Sequence, residues 1–248
     1  MNKEEILKML DIDEHYYGEF GKQFRSNSDI KILDENPEDL YKPIDSNAVP
    51  LVFGNYFHKL MLEPEKAANV QWVDVANRNT KKYEKAAVDG TLLIRPEIEN
   101  CSVMQEKLKA NDIVRGLIYG EHKDAKIEYE VPNIVELGTN TWKGKADIVN
   151  HDEKLIIDLK TTSSLDRFRW SSYKYNYDSQ AYIYSTMFGY EFIFVVIDKS
   201  THKIGIFDCS NEFLKRGEEK VAKANETYDL FYKTENFKKE NFFINQTL

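Results

Sequence analysis

The spacing of apolar positions divides the chain into helical and extended stretches. In residues 49–62, apolar side chains recur at the three- and four-residue intervals of a helix face, and more apolar residues line the opposite side. This pattern predicts a helix that is buried on more than one side. Helical spacing also predicts two helices in 96–120 that meet near Asn111, two in 163–190, and a long surface helix over 211–233.

Shorter runs of β-branched and aromatic residues predict strands, centred near residues 92, 127, 145, 157, 194 and 205. Strands separated by helical stretches predict an α/β fold with a mixed central β-sheet flanked by helices. Residues 132–141 are predicted to form a loop. One domain is expected over 1–248, with an N-terminal helical segment over about 1–45, where Ser28 and Asp29 predict a helix start, and a C-terminal helical extension over about 210–248.

One hairpin organises the rest of the chain. Residues 144–162 read GKADIVNHDEKLIIDLKTT, in which two apolar runs flank a polar turn. A tight turn at Asp152 and Glu153 places Asp147 directly opposite Asp158. Side chains alternate between the two faces of a strand. One face should therefore carry Lys145, Asp147, Asp158 and Lys160, and the other Ala146, Ile148, Leu155, Ile157 and Leu159.

The Asp147–Asp158 pair is the clearest chemical signal. Two carboxylates opposed across a ladder repel each other, so this face needs positive charge. Lys160 supplies one charge, and a divalent ion would supply more. Magnesium takes oxygen ligands, and a lysine beside it suits hydrolysis of a phosphodiester, where negative charge develops. The residues alone leave open a solvated face held by Lys–Asp pairs worth about 0–1 kcal/mol each.

Asp147 followed eleven positions later by Asp158-Leu159-Lys160 resembles the signature of the PD-(D/E)xK nuclease superfamily. The sequence GKADIV…IIDLKTT is similar to the corresponding motif of exonuclease VIII (RecE-type), lambda exonuclease and RecB-type nuclease domains. Residues 57–65, FHKLMLEPE, and the helix pair of Gln180 and Tyr184 add to the resemblance. It covers residues from about 28 to 209 and implies a restriction-endonuclease-like core.

The resemblance implies the metal-binding positions Asp147, Asp158, the carbonyl of Leu159 and His58, together with one glutamate of the preceding strand. Glu128 matches that glutamate best, and Glu130, on the same strand face, remains an alternative. A lone histidine in a helix is more often structural. The similarity of the helix around His58 to RecB- and RecE-type nucleases makes it a ligand or a neighbour of the ligands.

The resemblance also implies catalytic and DNA-binding roles. Lys160 would position or activate water and stabilise the developing charge, and Gln180 and Tyr184 would orient Lys160 or a phosphate. Without the resemblance, the last two would belong to an ordinary tyrosine-rich amphipathic helix. Basic residues expected to contact DNA phosphates are Arg78, Arg167, Arg169 and Lys174; the alternative for such residues is a solvated charged face.

Composition narrows the class of protein. The net charge of -8 argues against a large basic surface, although a small basic channel is compatible with it. Cys101 and Cys209 are too few for a cysteine-ligated zinc or iron–sulfur site and fit a reducing compartment. No apolar run is long enough for a membrane span and the N-terminus lacks the features of a signal peptide. A cytoplasmic location, in a bacterial or phage-infected cell, is expected.

The predicted function is a Mg²⁺-dependent exonuclease, with Mn²⁺ able to substitute. By resemblance it degrades the 5′ strand from double-stranded DNA ends and leaves 3′ overhangs for an annealing protein in phage-type recombination or repair. An endonuclease and an inactive DNA-end-binding subunit are the alternatives. An acidic monomer attracts DNA poorly, and a closed ring is one solution. Lambda-type and RecE-type exonucleases form such rings, so the resemblance implies a homo-oligomeric ring of three or four subunits. Asp158→Asn should abolish cleavage without lowering stability, because it removes a repelling charge.

Overall fold

The structure, a computed structural model, describes residues 1–43, 46–235 and 237. Its helices are α1 (Lys3–Leu10), α2 (Asp13–Tyr17), α3 (Asn27–Glu35), α4 (Val49–Leu62), α5 (Pro64–Ala68), α6 (Lys81–Ala86), α7 (Arg95–Ala110), α8 (Asp112–Tyr119), α9 (Phe168–Lys174), α10 (Tyr177–Phe188) and α11 (Asn211–Tyr228). Its strands are β1 (Trp72–Val73), β2 (Leu93–Ile94), β3 (Ile127–Leu137), β4 (Asn140–Asn150), β5 (Leu155–Thr162), β6 (Glu191–Asp198) and β7 (Ile204–Asp208). The end of the predicted C-terminal extension, 238–248, lies outside the described residues.

Five strands form the central sheet in the order β3-β4-β5-β6-β7. β5 and β6 are parallel, and the other neighbours are antiparallel. The parallel pair requires a crossover, which α9 and α10 supply. The predicted α/β class, a mixed sheet flanked by helices, is confirmed.

Three local predictions are corrected. The strand near residue 92 is β2, which pairs with β1 in a separate two-stranded parallel sheet. Residues 132–141 are not a loop, because β3 and β4 form a long hairpin that turns at Gly138, whose φ of 61° suits glycine. Pro132 is tolerated because β3 is an edge strand. The helix expected to start at Ser28 begins after Ser26, since Asp29 accepts a hydrogen bond from the Ser26 backbone.

The sheet is buried on both faces, which explains the continuous apolar run of β6. Ile193, Val195 and Ile197 pack with α4, α7 and α8 on one face. Phe192, Phe194 and Val196 pack toward α9, α10 and α11 on the other. The first layer of helices includes the buried Phe57 and Met61 of α4, which leaves their neighbour His58 directed at the end of the sheet.

β4 and β5 separate after a short shared ladder. They pair at Asn150–Leu155, Val149–Ile156 and Ile148–Ile157, which is the predicted register. Beyond Ile148 and Ile157 the β4–β5 ladder ends. β4 continues to pair with β3 on its other edge, and β5 continues to pair with β6. Asp147 and Asp158 are the next residues on either side of this opening. We call the opening the fork.

The alternation of side chains on β4 also changes at the fork. Ala146, predicted to share a face with Ile148, packs instead with Val149 and Ile156 on the α10 side. The paired strand β3 changes at the same level, because Glu130 adopts a left-handed backbone with φ of 51°. A strand that keeps its register while one residue leaves the extended conformation turns its next side chains to the other face.

Candidate active site

Asp147 closes the end of the β4–β5 ladder with its side chain. Its Oδ2 accepts a hydrogen bond of 2.9 Å from the backbone N–H of Leu159, in place of a ladder bond. His58 Nε2 lies 2.5 Å from the Leu159 carbonyl oxygen. A carbonyl can only accept, so Nε2 carries a proton and Nδ1 is the atom that faces Asp147 Oδ2, at 3.4 Å. In neutral His58 both facing atoms are acceptors, and a cation between them relieves the repulsion.

Glu130 completes a group of possible metal ligands. One ligand atom each from His58, Glu130 and Asp147 lie within 4.8 Å of one another. Burial, followed by the charges of Asp147 and Glu63, raises the pKa of Glu130 to about 8. A cation bound beside Glu130 would favour its ionised form and oppose the effect of burial. Two carboxylates with one imidazole are a donor set that fits a divalent cation.

Asp158 lies on the other side of the fork and carries its own cation. Its buried Oδ2 is 2.6 Å from Lys160 Nζ, and its Oδ1 accepts a hydrogen bond of 2.6 Å from Gln180 Nε2. Burial raises the pKa of Asp158 to about 6, against the effect of Lys160. Burial alone would lower the pKa of Lys160, but the carboxylates of Asp158 and Asp147 outweigh it and raise the pKa. Lys160 is therefore an ammonium ion.

Tyr177 lies beside Lys160, although no site role was predicted for it. Its ring centroid lies 5.1 Å from Lys160 Nζ, within cation–π range. Tyr177 precedes Gln180 by three residues on α10, so the two share a helix face. This three-residue spacing from Gln180 is the feature of the sequence that could have placed Tyr177 at the site.

Tyr184 supports β4. Its hydroxyl accepts from the Lys145 backbone N–H and donates to the Lys145 carbonyl, both at 3.2 Å. Gly144 permits this approach, because a Cβ there would lie 2.8 Å from the tyrosine ring. Of the two predicted roles, orienting Lys160 or a phosphate, the first is corrected, because the Tyr184 hydroxyl bonds the backbone of Lys145, two residues before Asp147.

Glu128, the preferred glutamate of the prediction, lies away from the ligand group. It pairs with Val149 near the hairpin turn, and its carboxylate is 2.6 Å from His151 Nε2. Its side chain is 61% exposed. The unusual backbone of Glu130 breaks the alternation by which the two glutamates would share a face. The structure therefore favours the alternative, Glu130.

The basic residues predicted to contact DNA divide into two sets. The Arg78 guanidinium forms a bidentate pair with Glu97 at 3.0 and 2.8 Å and also donates to the Leu92 carbonyl and the Tyr83 hydroxyl. These partners occupy four of its five N–H donors, and Glu97 neutralises its charge, which corrects the expected phosphate contact. Residues Arg167, Arg169 and Lys174 are exposed on and beside α9.

A chain of ion pairs borders Glu130 from the N-terminal helices. Asp13 contacts Lys145 Nζ at 2.7 Å and Lys66 Nζ at 2.8 Å, and Lys66 also contacts Glu63 at 2.5 Å. The two lysines lower the pKa of Glu130, whereas Glu63 raises it. Glu63 and Lys145 lie within the motifs that carried the resemblance. Asp13 gave no sequence signal, because it is 132 residues from Lys145.

A mixed sheet that opens between two strands, with Asp147 on one side and Asp158 and Lys160 on the other, defines the PD-(D/E)xK class of folds. The chain belongs to the family described as PDDEXK-like domain of unknown function (DUF3799), which matches residues 21–240. The predicted membership of the PD-(D/E)xK nuclease superfamily is confirmed.

One of two similar solved structures supports the fold. A protein from Eubacterium rectale, named provisionally as an exonuclease, is 15% identical over 96% of this chain and 95% of its own, with a TM-score of 0.59. A phage related exonuclease from Haemophilus somnus 129PT is 17% identical over 60% of this chain and 82% of its own, with a TM-score of 0.34. The first likeness bears on the fold alone. No curated protein matches the chain.

Within the described part of the chain, no helix is long and apolar enough to cross a membrane.

Proposed function

We propose that the protein is a divalent-metal-dependent deoxyribonuclease that hydrolyses phosphodiester bonds at the ends of duplex DNA. The observation that carries this proposal is the asymmetry of the fork. A group of acidic and imidazole ligands that needs a cation lies beside a buried Asp158–Lys160 pair. Membership of a PDDEXK-like family supports the same reaction class.

The metal would be held by Asp147 and Glu130, with His58 as a nitrogen ligand and Asp158 across the fork. The Leu159 carbonyl accepts from His58 and has a second lone pair for the ion. When bound, a divalent ion neutralises phosphate charge and lowers the pKa of a bound water. Mg²⁺ suits the carboxylate oxygens, and we expect Mn²⁺ to substitute because it also accepts imidazole.

Lys160 acts as a donor. The raised pKa keeps its ammonium group protonated, so it does not take a proton from water. Its N–H groups hold the attacking water or a phosphate oxygen by hydrogen bonds and stabilise the negative charge that develops during hydrolysis. Gln180 keeps Asp158 oriented toward Lys160, and Tyr177 restricts the ammonium group from the side.

The finer features of the proposal rest on the likeness of GKADIV…IIDLKTT to RecE-type and lambda exonucleases. The enzyme degrades the 5′ strand of a duplex and leaves a 3′ overhang for an annealing protein, in the cytoplasm of a bacterial or phage-infected cell. A ring of three or four subunits would hold the DNA despite the net charge of -8. Light scattering with duplex DNA tests the ring, and a monomer under all conditions contradicts it.

Digestion of end-labelled duplexes tests the function. Linear duplexes labelled at the 5′ or 3′ end are incubated with Mg²⁺, Mn²⁺, or a chelator, beside closed circular DNA of the same sequence. We expect metal-dependent release of the 5′ label from linear DNA and an intact circle. Cleavage of the circle would identify an endonuclease. Absence of any cleavage by the wild type, with the Asp147→Asn variant as background, would contradict the proposed activity.

A further inference from the structure

The segment between β5 and α10 presents aromatic side chains to solvent. Trp170 is 74% exposed and Tyr175 is 56% exposed, an unusual position for two large rings beside an active site. Basic residues accompany them. We define the α9 surface as Arg167, Arg169, Trp170, Tyr173, Lys174 and Tyr175, together with Arg216 of α11.

A row of contacts connects the α9 surface to the fork. Lys160 Nζ lies 5.1 Å from the Tyr177 ring, and the Tyr177 ring lies 6.0 Å from the Tyr175 ring. Lys174 Nζ lies 5.5 Å from the Tyr175 ring. A strand that leaves Lys160 along this row passes over aromatic faces with ammonium groups at both ends.

Two arginines converge at one edge of this surface. Arg216 lies over the Tyr173 ring, with its guanidinium carbon 4.1 Å from the centroid. The guanidinium groups of Arg216 and then Arg169 have the largest effects on the Tyr173 hydroxyl, and both lower the pKa of Tyr173. The nearest carboxylate, Asp178, is 3.8 Å from Arg216 and is already paired with Lys220 at 2.7 Å. Two guanidinium groups held together with partial neutralisation form a site for a phosphate group.

The local charge favours a nucleic acid over a protein partner. Residues 165–175 contain three basic residues and one acidic residue, Asp166, in a chain whose net charge is -8. Basic groups interleaved with exposed rings match single-stranded nucleic acid, whose bases stack on aromatic side chains while the backbone follows positive charge. A duplex keeps the faces of its bases covered, so it would leave Trp170 and Tyr175 without partners.

We propose that the α9 surface binds a single-stranded DNA segment, with unpaired bases stacked on Trp170 and Tyr175 and a phosphate between Arg169 and Arg216. This inference rests on the proposed function, because the strand it binds is one strand of the DNA cleaved at the fork. It adds that this strand is unpaired where it passes α9.

Tryptophan fluorescence provides a direct test. The three tryptophans are Trp72, Trp142 and Trp170; Trp142 is buried, and Trp72 is 43% exposed on β1. Single-stranded oligothymidylate is added with a chelator present, so that no cleavage occurs. We expect quenching in the wild type and in Trp72→Phe, and loss of that quenching in Trp170→Phe. Quenching that persists in Trp170→Phe would overturn the assignment of the stacking residue.

Affinity measurements separate the stacking and the phosphate contacts. Trp170→Ala and Tyr175→Ala should each weaken binding of labelled oligothymidylate about 5- to 150-fold, and blunt duplex much less. Trp72→Ala is the matched control and should change neither. Arg216→Gln should reduce the slope of log affinity against log salt by about 0.7.

The outcomes distinguish the two proposals. Metal-dependent cleavage together with unchanged single-strand affinity in both aromatic variants would overturn the α9 surface and leave the nuclease function intact. Quenching and loss of affinity in a protein that cleaves no DNA would retain the α9 surface and contradict the nuclease function.

Discussion

Asp147 and Asp158 both lie next to the last pair of the β4–β5 ladder, Ile148 and Ile157, yet their surroundings differ. Asp147 is partly exposed and lies beside His58 and Glu130, with its Oδ2 3.4 Å from His58 Nδ1. Asp158 is buried and is held by Lys160 and Gln180. One side of the fork needs a cation from solution, whereas the other side contains one.

This difference shows how one short ladder can serve two tasks. A buried carboxylate requires a partner within the protein, because the desolvation penalty of an isolated charge is several kcal/mol. A carboxylate at a water-accessible edge can share an ion with substrate and solvent. The two sides therefore respond differently to mutation, pH and metal.

Lys160→Met should have the largest effect. It removes the ammonium group from the reacting phosphate, for which we expect a loss in cleavage rate of about 10²- to 10³-fold. It also leaves Asp158 buried without its cation, at a cost of about 3–5 kcal/mol in the free energy of unfolding. Urea denaturation and end-labelled digestion measure the two losses.

The double variant Lys160→Met, Asp158→Asn is the control for this loss. It should recover much of the stability and none of the activity. Equal stability of wild type and Lys160→Met would show that the buried pair does not stabilise the fold.

Asp158→Asn alone should also destabilise the protein, but by less than Lys160→Met. The side chain of Lys160 is 19% exposed and that of Asp158 only 4%, so the ammonium group can reach water once its partner is lost. This reverses the expectation from sequence, which counted only the repulsion from Asp147. A variant more stable than wild type in metal-free buffer would restore that earlier expectation.

The cation-deficient side should respond to metal. Mg²⁺ or Mn²⁺ at tenfold its dissociation constant should add about 1.4 kcal/mol, which raises the melting temperature by about 3–6 °C. Glu130→Gln should lose most of this gain, since it removes a ligand. Scanning calorimetry with and without metal checks the effect, and an equal gain in Glu130→Gln would exclude Glu130 as a ligand.

Glu130 should also impose a pH dependence on the metal-free protein. Its pKa is about 8 in the folded protein against an ordinary value of 4.5, so the folded state binds the extra proton between these values. Its contribution therefore lowers stability as pH rises from about 4.5 to 8, and none of this loss occurs below 4.5. Bound metal should oppose the loss at high pH.

We expect a flatter profile of stability against pH for Glu130→Gln in denaturation series. A profile identical to that of wild type would contradict the assignment of this pH dependence to Glu130.

Tyr184→Phe should have a smaller effect. It removes the hydroxyl that bonds the Lys145 backbone, which should cost about 0.5–1.5 kcal/mol. Cleavage should fall only modestly, because β4 remains packed by the ring. A large loss of rate without a loss of stability would instead support the direct role that the resemblance implied.

Glu128→Gln should have the smallest effect and serves as the partner of Glu130→Gln. Its exposed pair with His151 should contribute about 0–1 kcal/mol. Metal-dependent stabilisation and cleavage should match those of wild type. If this variant loses the metal response and Glu130→Gln keeps it, the two glutamates have the opposite roles.

The amino-acid sequence by itself indicated the hairpin register, because the polar turn at Asp152 and Glu153 sets the pairing and a one-residue slip would turn the apolar residues to the other face. The same local pattern identified Asp147, Asp158 and Lys160 as neighbours and predicted the sheet. Periodicity and short-range spacing contain this information, since each depends on residues close together in the chain.

Only the tertiary structure decided which partners these residues meet. The choice of Glu130 over Glu128 depends on a backbone angle at one residue of an edge strand, which no periodicity reports. Arg78 meets Glu97, Asp13 meets Lys145, and Arg216 meets Tyr173 because helices distant in sequence pack together. The sequence determines which charges are present, whereas burial and these long-range contacts determine which of them remain available to a metal ion or to DNA.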